Sequence, residues 1–155
     1  MRFVICGAGQ VGYSIASYLS GEENDVTVID NNPKMINQIN NELDVNGILG
    51  HASNPEVLQS AGASEADMII TVTHSDEVNM VACQVAHSLF SVPKKIARVR
   101  DQSYLDPAWS NLFSRAHMPI DVIISPEIVV AQDIYQRLSV PGTTFVIPLA
   151  DHLLH

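Results

Sequence analysis

Cations are scarce in this chain of 155 residues: Lys and Arg number 8 against 17 Asp and Glu, a net charge of −9. A balance that acidic excludes a general binder of nucleic acid or of anionic membrane, whose footprint is basic. It leaves a phosphate ligand open, because backbone N–H groups hold phosphate without net positive charge. Cysteine is nearly absent. Cys6 and Cys83 are the only two, each inside an apolar segment and without a spacing that suggests a metal or a disulfide. The expectation is two buried free thiols in a reducing compartment. No run approaches the ~20 apolar residues needed to cross a membrane. No basic region with a cleavage site precedes the first apolar segment, so the expected location is the cytoplasm, without a secretory signal. Internal repeats, low-complexity stretches and linkers are missing too. At 46% hydrophobic and 16% charged residues the composition is globular. The length corresponds to one domain, too short for a cofactor domain plus a full-sized substrate domain.

What is there is an alternation. Short, mostly β-branched apolar runs occur at Arg2–Cys6, Asp25–Ile29, Asn46–Leu49, Met68–Val72, Ile96–Val99, Val122–Ile124 and Thr143–Ile147. They are continuous rather than alternating, as in strands buried on both faces. Helical periodicity fills the gaps. Val11, Ile15, Tyr18 and Leu19 share a face, as do Met35, Ile36, Ile39 and Leu43. Further on, Val78, Val81, Ala82, Val85 and Leu89 form a third stripe, and Ile128, Ala131, Tyr135 and Leu138 a fourth. Asn32-Pro33, Asn54-Pro55, Asp106-Pro107 and Ser125-Pro126 each place an N-cap residue before a proline suited to a first helical turn. The expected fold class is therefore α/β: a Rossmann-like, doubly wound, mainly parallel sheet with helices on both faces. Pro141-Gly142 ends the pattern, and Pro148 to His155 reads as an irregular tail.

The first strand runs into Gly7-Ala8-Gly9-Gln10-Val11-Gly12, a G-x-G-x-x-G that opens a helix. Gly7 permits the tight turn, Gly9 lets a pyrophosphate approach the backbone, and Gly12 lets helix and sheet pack closely. Asp30 ends the second strand 18 residues beyond Gly12. That spacing suits a carboxylate accepting hydrogen bonds from adenosine ribose hydroxyls. The plainer alternative is that Asp30 only starts a turn with Asn31 and Asn32. A 2′-phosphate would meet Asp30 as a like charge, and Lys34 lies a helical turn away. NAD(H) or ATP/ADP is thus favoured over NADP(H).

Ligands of open α/β sheets sit outside the carboxyl ends of the strands. Gly50-His51-Ala52-Ser53 comes after the third strand. There His51 suits an adenine edge or simply an exposed loop, and Ser53 suits the cap of the next helix. Thr73-His74-Ser75-Asp76-Glu77-Val78-Asn79 comes after the fourth strand and faces the same crevice, although Asp76 and Glu77 also suit a helix start. Arg98 and Arg100 come after the fifth, on one side of the strand by its period of two. They would reach ligand phosphates or pair with surface carboxylates.

Catalytic apparatus is not evident. His51 and His74 lie at strand ends without a partner arrangement. Neither G-x-S-x-G, H-E-x-x-H nor a Walker lysine loop occurs.

The glycine run, Asp30, Gly50-x-Ala52-Ser53, Ser64-Glu65-Ala66-Asp67, Asp76-Glu77-x-Asn79-Met80 with Ala82-Cys83, Ile96–Arg100 and Asp121–Glu127 come in an order that resembles TrkA-type potassium-uptake regulators. The resemblance is to their N-terminal nucleotide-binding domain, also called KTN or RCK N-lobe, over about residues 1–147. It implies a non-enzymatic cytoplasmic subunit at the inner face of the cell membrane. That subunit would bind NAD(H) or ATP/ADP, assemble as dimers within a ring and gate a membrane potassium transporter. By position it implies a phosphate loop at Gly7–Gly12, a ribose carboxylate at Asp30, an adenine-side turn at Gly50–Ser53 and a basic group of Arg98 with Arg100. The chain departs from the family at His51 and His74, where acidic residues are usual. It also stops short of the family's C-terminal lobe, so a fragment or a stand-alone member is expected. The competing readings are the cofactor half of an NAD-dependent oxidoreductase and a Rossmann module for assembly alone.

Overall fold

The computed structural model describes residues 1–125 and the backbone of 145–147. In chain order the elements are β1 (Arg2–Cys6), α1 (Gln10–Gly21), β2 (Asp25–Asp30), α2 (Pro33–Glu42), β3 (Asn46–Leu49), α3 (Pro55–Ser60), β4 (Met68–Thr71), α4 (Asp76–Phe90), β5 (Lys94–Arg98), β6 (Val122–Ile124) and β7 (Phe145–Ile147). The strands form one sheet in the order β3-β2-β1-β4-β5-β6-β7, and each described pairing is parallel. The expected doubly wound Rossmann-like fold is thus the fold observed.

The continuous apolar character of the strands has a direct cause. Phe3 and Ile5 of β1 pack with Ile15 and Leu19 of α1 and Ile39 of α2 on one face. Val4 and Cys6 pack with Leu58 of α3 and Ala82, Cys83 and Ala86 of α4 on the other. Both faces of the central strands are dry, so no polar alternation survives there. Cys6 and Cys83 are buried free thiols, and burial pushes both thiols up in pKa.

The N-caps form largely where the sequence places them. Asn32 Oδ1 accepts from the Lys34 N–H (2.9 Å), and Asn54 Oδ1 accepts from those of Glu56 (2.8 Å) and Val57 (3.3 Å). Asn54, not Ser53, therefore caps α3, because Asn54 directly precedes the N1 proline. Asp106 also caps, through the Ala108 N–H (2.8 Å), but it opens a 3-10 run, Pro107–Phe113, kinked at Trp109. Only Phe113 of that run is buried, so no apolar face holds an α-helix there. The cap at Ser125-Pro126, the stripe from Ile128 to Leu138, the break at Pro141-Gly142 and the tail from Pro148 fall outside the described residues.

Two other expectations change. In α4 the buried residues are Asp76, Asn79, Met80, Ala82, Cys83 and Ala86, while Val81 and Leu89 are exposed. Small side chains let this helix settle close on the sheet, and Val81 and Leu89 turn away. β5 begins at Lys94 rather than Ile96. Lys95 is fully inside, its stem in the core and its Nζ donating to Val92 O (2.8 Å), 3.8 Å from Asp121 Oδ2. A lysine that carries its charge to the strand end is compatible with a buried strand.

Because β1 lies between β2 and β4, the chain crosses from one half of the sheet to the other beside β1. That topology opens a crevice at the carboxyl ends of β1 and β4.

Candidate functional site

A cavity of about 460 Å³ occupies this crevice, within the range of small-molecule sites. Of the residues singled out in the sequence, Gly7, Gly9, Gln10, Val11, Asp30 and Asn31 line it from the first two strand ends. Gly50, His51 and Ala52 line it from the third, and Thr73, His74, Arg98 and Arg100 from the fourth and fifth. Met35 and Val78, from the first turns of α2 and α4, add apolar walls that motif reading missed. Both stand three residues beyond a capping side chain, Asn32 or Ser75, and that regular offset is the signal that could have found them.

The glycine loop divides into two kinds of glycine. Gly7 has φ +110, and a Cβ on it would lie 2.8 Å from Val72 O. A Cβ on Gly12 would lie 1.8 Å from Gly7 O. The fold itself forbids side chains at both positions. Gly9 differs: it caps α1 with φ −72, and a Cβ there meets nothing within 4 Å. The protein leaves the space over Gly9 open. α1 is also an N-terminus without a side-chain cap, so its first N–H groups and the positive end of its dipole face that space unsatisfied.

Asp30 closes one side. Its Oδ2 accepts from the Ala8 N–H of the loop and its Oδ1 from the Asn32 N–H, both at 2.8 Å. Each oxygen keeps a lone pair for a further donor. Asp30 therefore fastens the loop to β2 and stays able to accept from a hydroxyl.

The opposite wall is a hydrogen-bonded lock. Asn79 is fully buried. Its Oδ1 accepts from Thr73 N (2.9 Å) and Thr73 Oγ1 (2.7 Å), and its Nδ2 donates to Arg98 O (2.9 Å) and Thr73 O (3.2 Å). Arg98 Nη2 donates to Val72 O (2.7 Å) and Thr73 O (2.9 Å). Burial, with the charge of Arg100 second, pushes Arg98 down to about 10, so it stays charged at neutrality. Asp76 accepts from the N–H groups of Arg100 and Asp101, both at 2.9 Å. The two arginines thus part company. Arg98 turns inward onto backbone carbonyls, and Arg100 stands exposed beside His74. Among the described residues neither forms an ion pair with a surface carboxylate.

Six of the singled-out residues are not among those lining the cavity. Ala8 is in the core and contributes its N–H to Asp30. Gly12 is pressed against Gly7 O. Lys34 is exposed on α2, and Ser53 is displaced as a cap by Asn54. Glu77 is exposed in the first turn of α4, where its Oε2 accepts from Ser75 Oγ (3.2 Å). Asn79 lies behind the wall that it braces. Among the described residues no group of three or more His, Cys, Asp or Glu is placed to hold a metal ion, and no helix is long and apolar enough to cross a membrane.

A wall of loop N–H groups over an open Gly9, with one carboxylate beside it, can take an anion and accept from a neighbouring hydroxyl. The chain is 55% identical over 151 residues to the Trk system potassium uptake protein TrkA of Azorhizobium caulinodans, covering 97% of this chain and 33% of that protein. It is 46% identical over 154 residues to the protein of that name from Halomonas elongata, covering 99% and 33%. The chain thus spans about a third of the length of these curated relatives. Among solved structures, the TrkA-N domain of the Escherichia coli inner membrane protein ybaL superposes with TM-score 0.67 at 17% identity, over 89% of this chain and 93% of that one. The GsuK channel bound to NAD gives TM-score 0.63 at 19% identity, over 81% and 21%. An Escherichia coli anaerobilin reductase, ChuY, gives TM-score 0.69 at 14% identity, over 100% and 99%, so the fold is shared with an enzyme. The TrkA-N domain model matches residues 3–126, and by that match over most of its length this chain belongs to the TrkA-N domain family.

Proposed function

We propose that residues 1–147 form a nucleotide-sensing domain that binds NAD(H) or ATP/ADP and, as part of a larger regulatory protein, gates a membrane potassium transporter. The observation that carries the nucleotide half is Gly9. Its backbone angles suit any residue and a Cβ there would touch nothing, so the fold does not itself require glycine at this place, and the space left open over the α1 N–H groups suits a guest. The α1 N–H groups would hold the phosphates, and Asp30 would accept from ribose hydroxyls. The family match and the curated relatives named for potassium uptake support the transport half.

The domain works as a regulator and not as an enzyme. It sits in the cytoplasm, peripheral to the inner face of the membrane, in a homo-oligomer built of dimers within a ring, and its partner is a transporter subunit. Gating requires the ligand to bind one arrangement of that assembly more tightly than another. Calorimetric titration with NADH, NAD, ATP and ADP, beside Asp30→Ala, tests the nucleotide half. At least one nucleotide binds the parent chain, Asp30→Ala weakens it, and no hydride donor is turned over. Failure of all four at millimolar concentration refutes it, and turnover of NADH would favour the oxidoreductase reading. Co-purification of the full-length regulator with a potassium transporter tests the other half.

A further inference from the structure

β3 forms one edge of the sheet, and its own residues lack the usual defences of an edge. The unpaired N–H and C=O groups of an edge strand are a template for another strand, and charge, proline or a bulge commonly shields them. Asn46–Leu49 carries no charge and no proline, it pairs with β2 in unbroken register, and Leu49 is 55% exposed. One bond fixes which groups face outward. Gly50 N donates to Asp30 O of β2 (3.0 Å), so by the period of two Gly47 and Leu49 turn their backbone groups away from β2. Asn40, in the last turn of α2, meets this edge. Its Oδ1 accepts from the Gly47 N–H (2.8 Å). The amide also lies against the glycine: a Cβ on Gly47 would stand 2.9 Å from both Asn40 Nδ2 and Asn40 Oδ1. Asn40 is exposed, so it is this contact and not burial that holds it over the strand.

We propose that Asn40 guards the β3 edge, closing it against strand addition by a second copy of this chain, and that residue 47 is glycine to admit the guard. A second copy is the partner to be kept out because an edge can pair with its own image. Two β3 strands meeting antiparallel about a twofold axis each offer the same outward N–H and C=O groups and the same exposed leucine. The incoming strand needs the Gly47 N–H, which Asn40 already holds, and the Asn40 amide stands in its path. The guard is independent of the nucleotide reading, since Asn40, Gly47 and Leu49 are not among the residues lining that cavity.

The test is light scattering during gel filtration over a wide range of concentration, on the parent chain, Asn40→Ala, Asn40→Asp and Asn40→Ala combined with Leu49→Pro. Comparison with the parent at equal concentration sets aside assembly through any other face. Alanine is a better helix former than asparagine, so α2 stays intact, and urea denaturation verifies it. Asn40→Ala is expected to strengthen self-association at least about tenfold, the worth of one backbone hydrogen bond. Asn40→Asp keeps the acceptor and stays in the parent's state. Leu49→Pro removes an outward N–H and returns Asn40→Ala to the parent's state. Hydrogen exchange gives the same answer without the proline: in Asn40→Ala the Leu49 amide exchanges more slowly as concentration rises. The guard is overturned if Asn40→Ala associates no more than the parent, if Asn40→Asp gains as much, or if the gain survives Leu49→Pro with the Leu49 amide unprotected. A lowered urea midpoint without added association makes Asn40 a brace between α2 and β3 only, and equally overturns it.

Discussion

Replacing Gly9 and Gly12 by alanine in separate variants separates what the fold needs from what a ligand needs. At Gly12 the new Cβ would lie 1.8 Å from Gly7 O and 2.8 Å from Gly7 C. Backbone atoms cannot step aside as a side-chain tip can, so α1 must move off the loop. Overpacking of this kind costs at least about 3 kcal/mol. At Gly9 the new methyl meets nothing within 4 Å. Alanine is a poorer N-cap than glycine by up to ~1 kcal/mol, and the stiffer unfolded chain returns ~0.4–1 kcal/mol, so stability barely changes. Binding is another matter. A methyl over the loop holds a phosphate away from the α1 N–H groups. Losing two hydrogen bonds to a charged group, at ~1.5–3 kcal/mol each, weakens affinity more than about 100-fold. Urea denaturation gives the stabilities, and calorimetry with the best-bound of NADH, NAD, ATP and ADP gives the affinities. The reasoning is refuted if Gly9→Ala binds within about threefold of the parent, a factor under ~1 kcal/mol. It is equally refuted if Gly12→Ala unfolds at the parent's midpoint.

The walls of the cavity and the helix behind them give further expectations. Asn79→Ala leaves Thr73 N and Arg98 O without a partner, while Thr73 O keeps its bond from Arg98, and should cost about 3 kcal/mol in urea denaturation, with nucleotide affinity falling as the β4 exit loosens. His87 is held below its ordinary 6.5, by burial first and then by the charges of Lys95 and Arg115. A lowered folded pKa means that the unfolded chain takes up the proton first as pH falls. Stability is therefore full above 6.5 and declines on acidification below it. Urea midpoints from about pH 7.5 to 5, within the range in which His titrates, should show this decline, and His87→Gln should flatten it.

The glycine loop and Asp30 were legible in the sequence because each is tied to a boundary that other residues mark. Gly7 comes directly after an apolar strand, and Asp30 ends another just before an Asn-Pro cap. Caps at Asn32 and Asn54 were legible for the same reason, since a local hydrogen bond fixes them. What was not legible is orientation. Nothing in the spacing of Val81 and Leu89 says that Ala82, Cys83 and Ala86 will face the sheet instead, because that choice is made by how closely the helix can approach. The same limit hid the separate fates of Arg98 and Arg100. A period of two puts them on one side, yet β5 ends between them, and Asp76 captures the chain just beyond. Asn79 read as a ligand contact because its neighbours are. Only the fold shows that its four bonds are all spent on Thr73 and Arg98.

The lock that joins Thr73, Asn79 and Arg98 bears on how the cavity can evolve. Its bonds run largely to backbone atoms, so they persist whatever side chains stand on the rim. Gly7 leans on Val72 O, the same carbonyl that Arg98 holds, which ties the loop of one half-sheet to the strand end of the other. Such a cavity has little freedom to widen or reshape around a new guest. Its preferences are set by the rim residues that the lock leaves alone, His51, His74 and Arg100 among them. Divergence within the family at this site should therefore proceed by exchange of charge and donor character on an unchanging frame, and swapping those rim residues between relatives should transfer ligand choice without transferring stability.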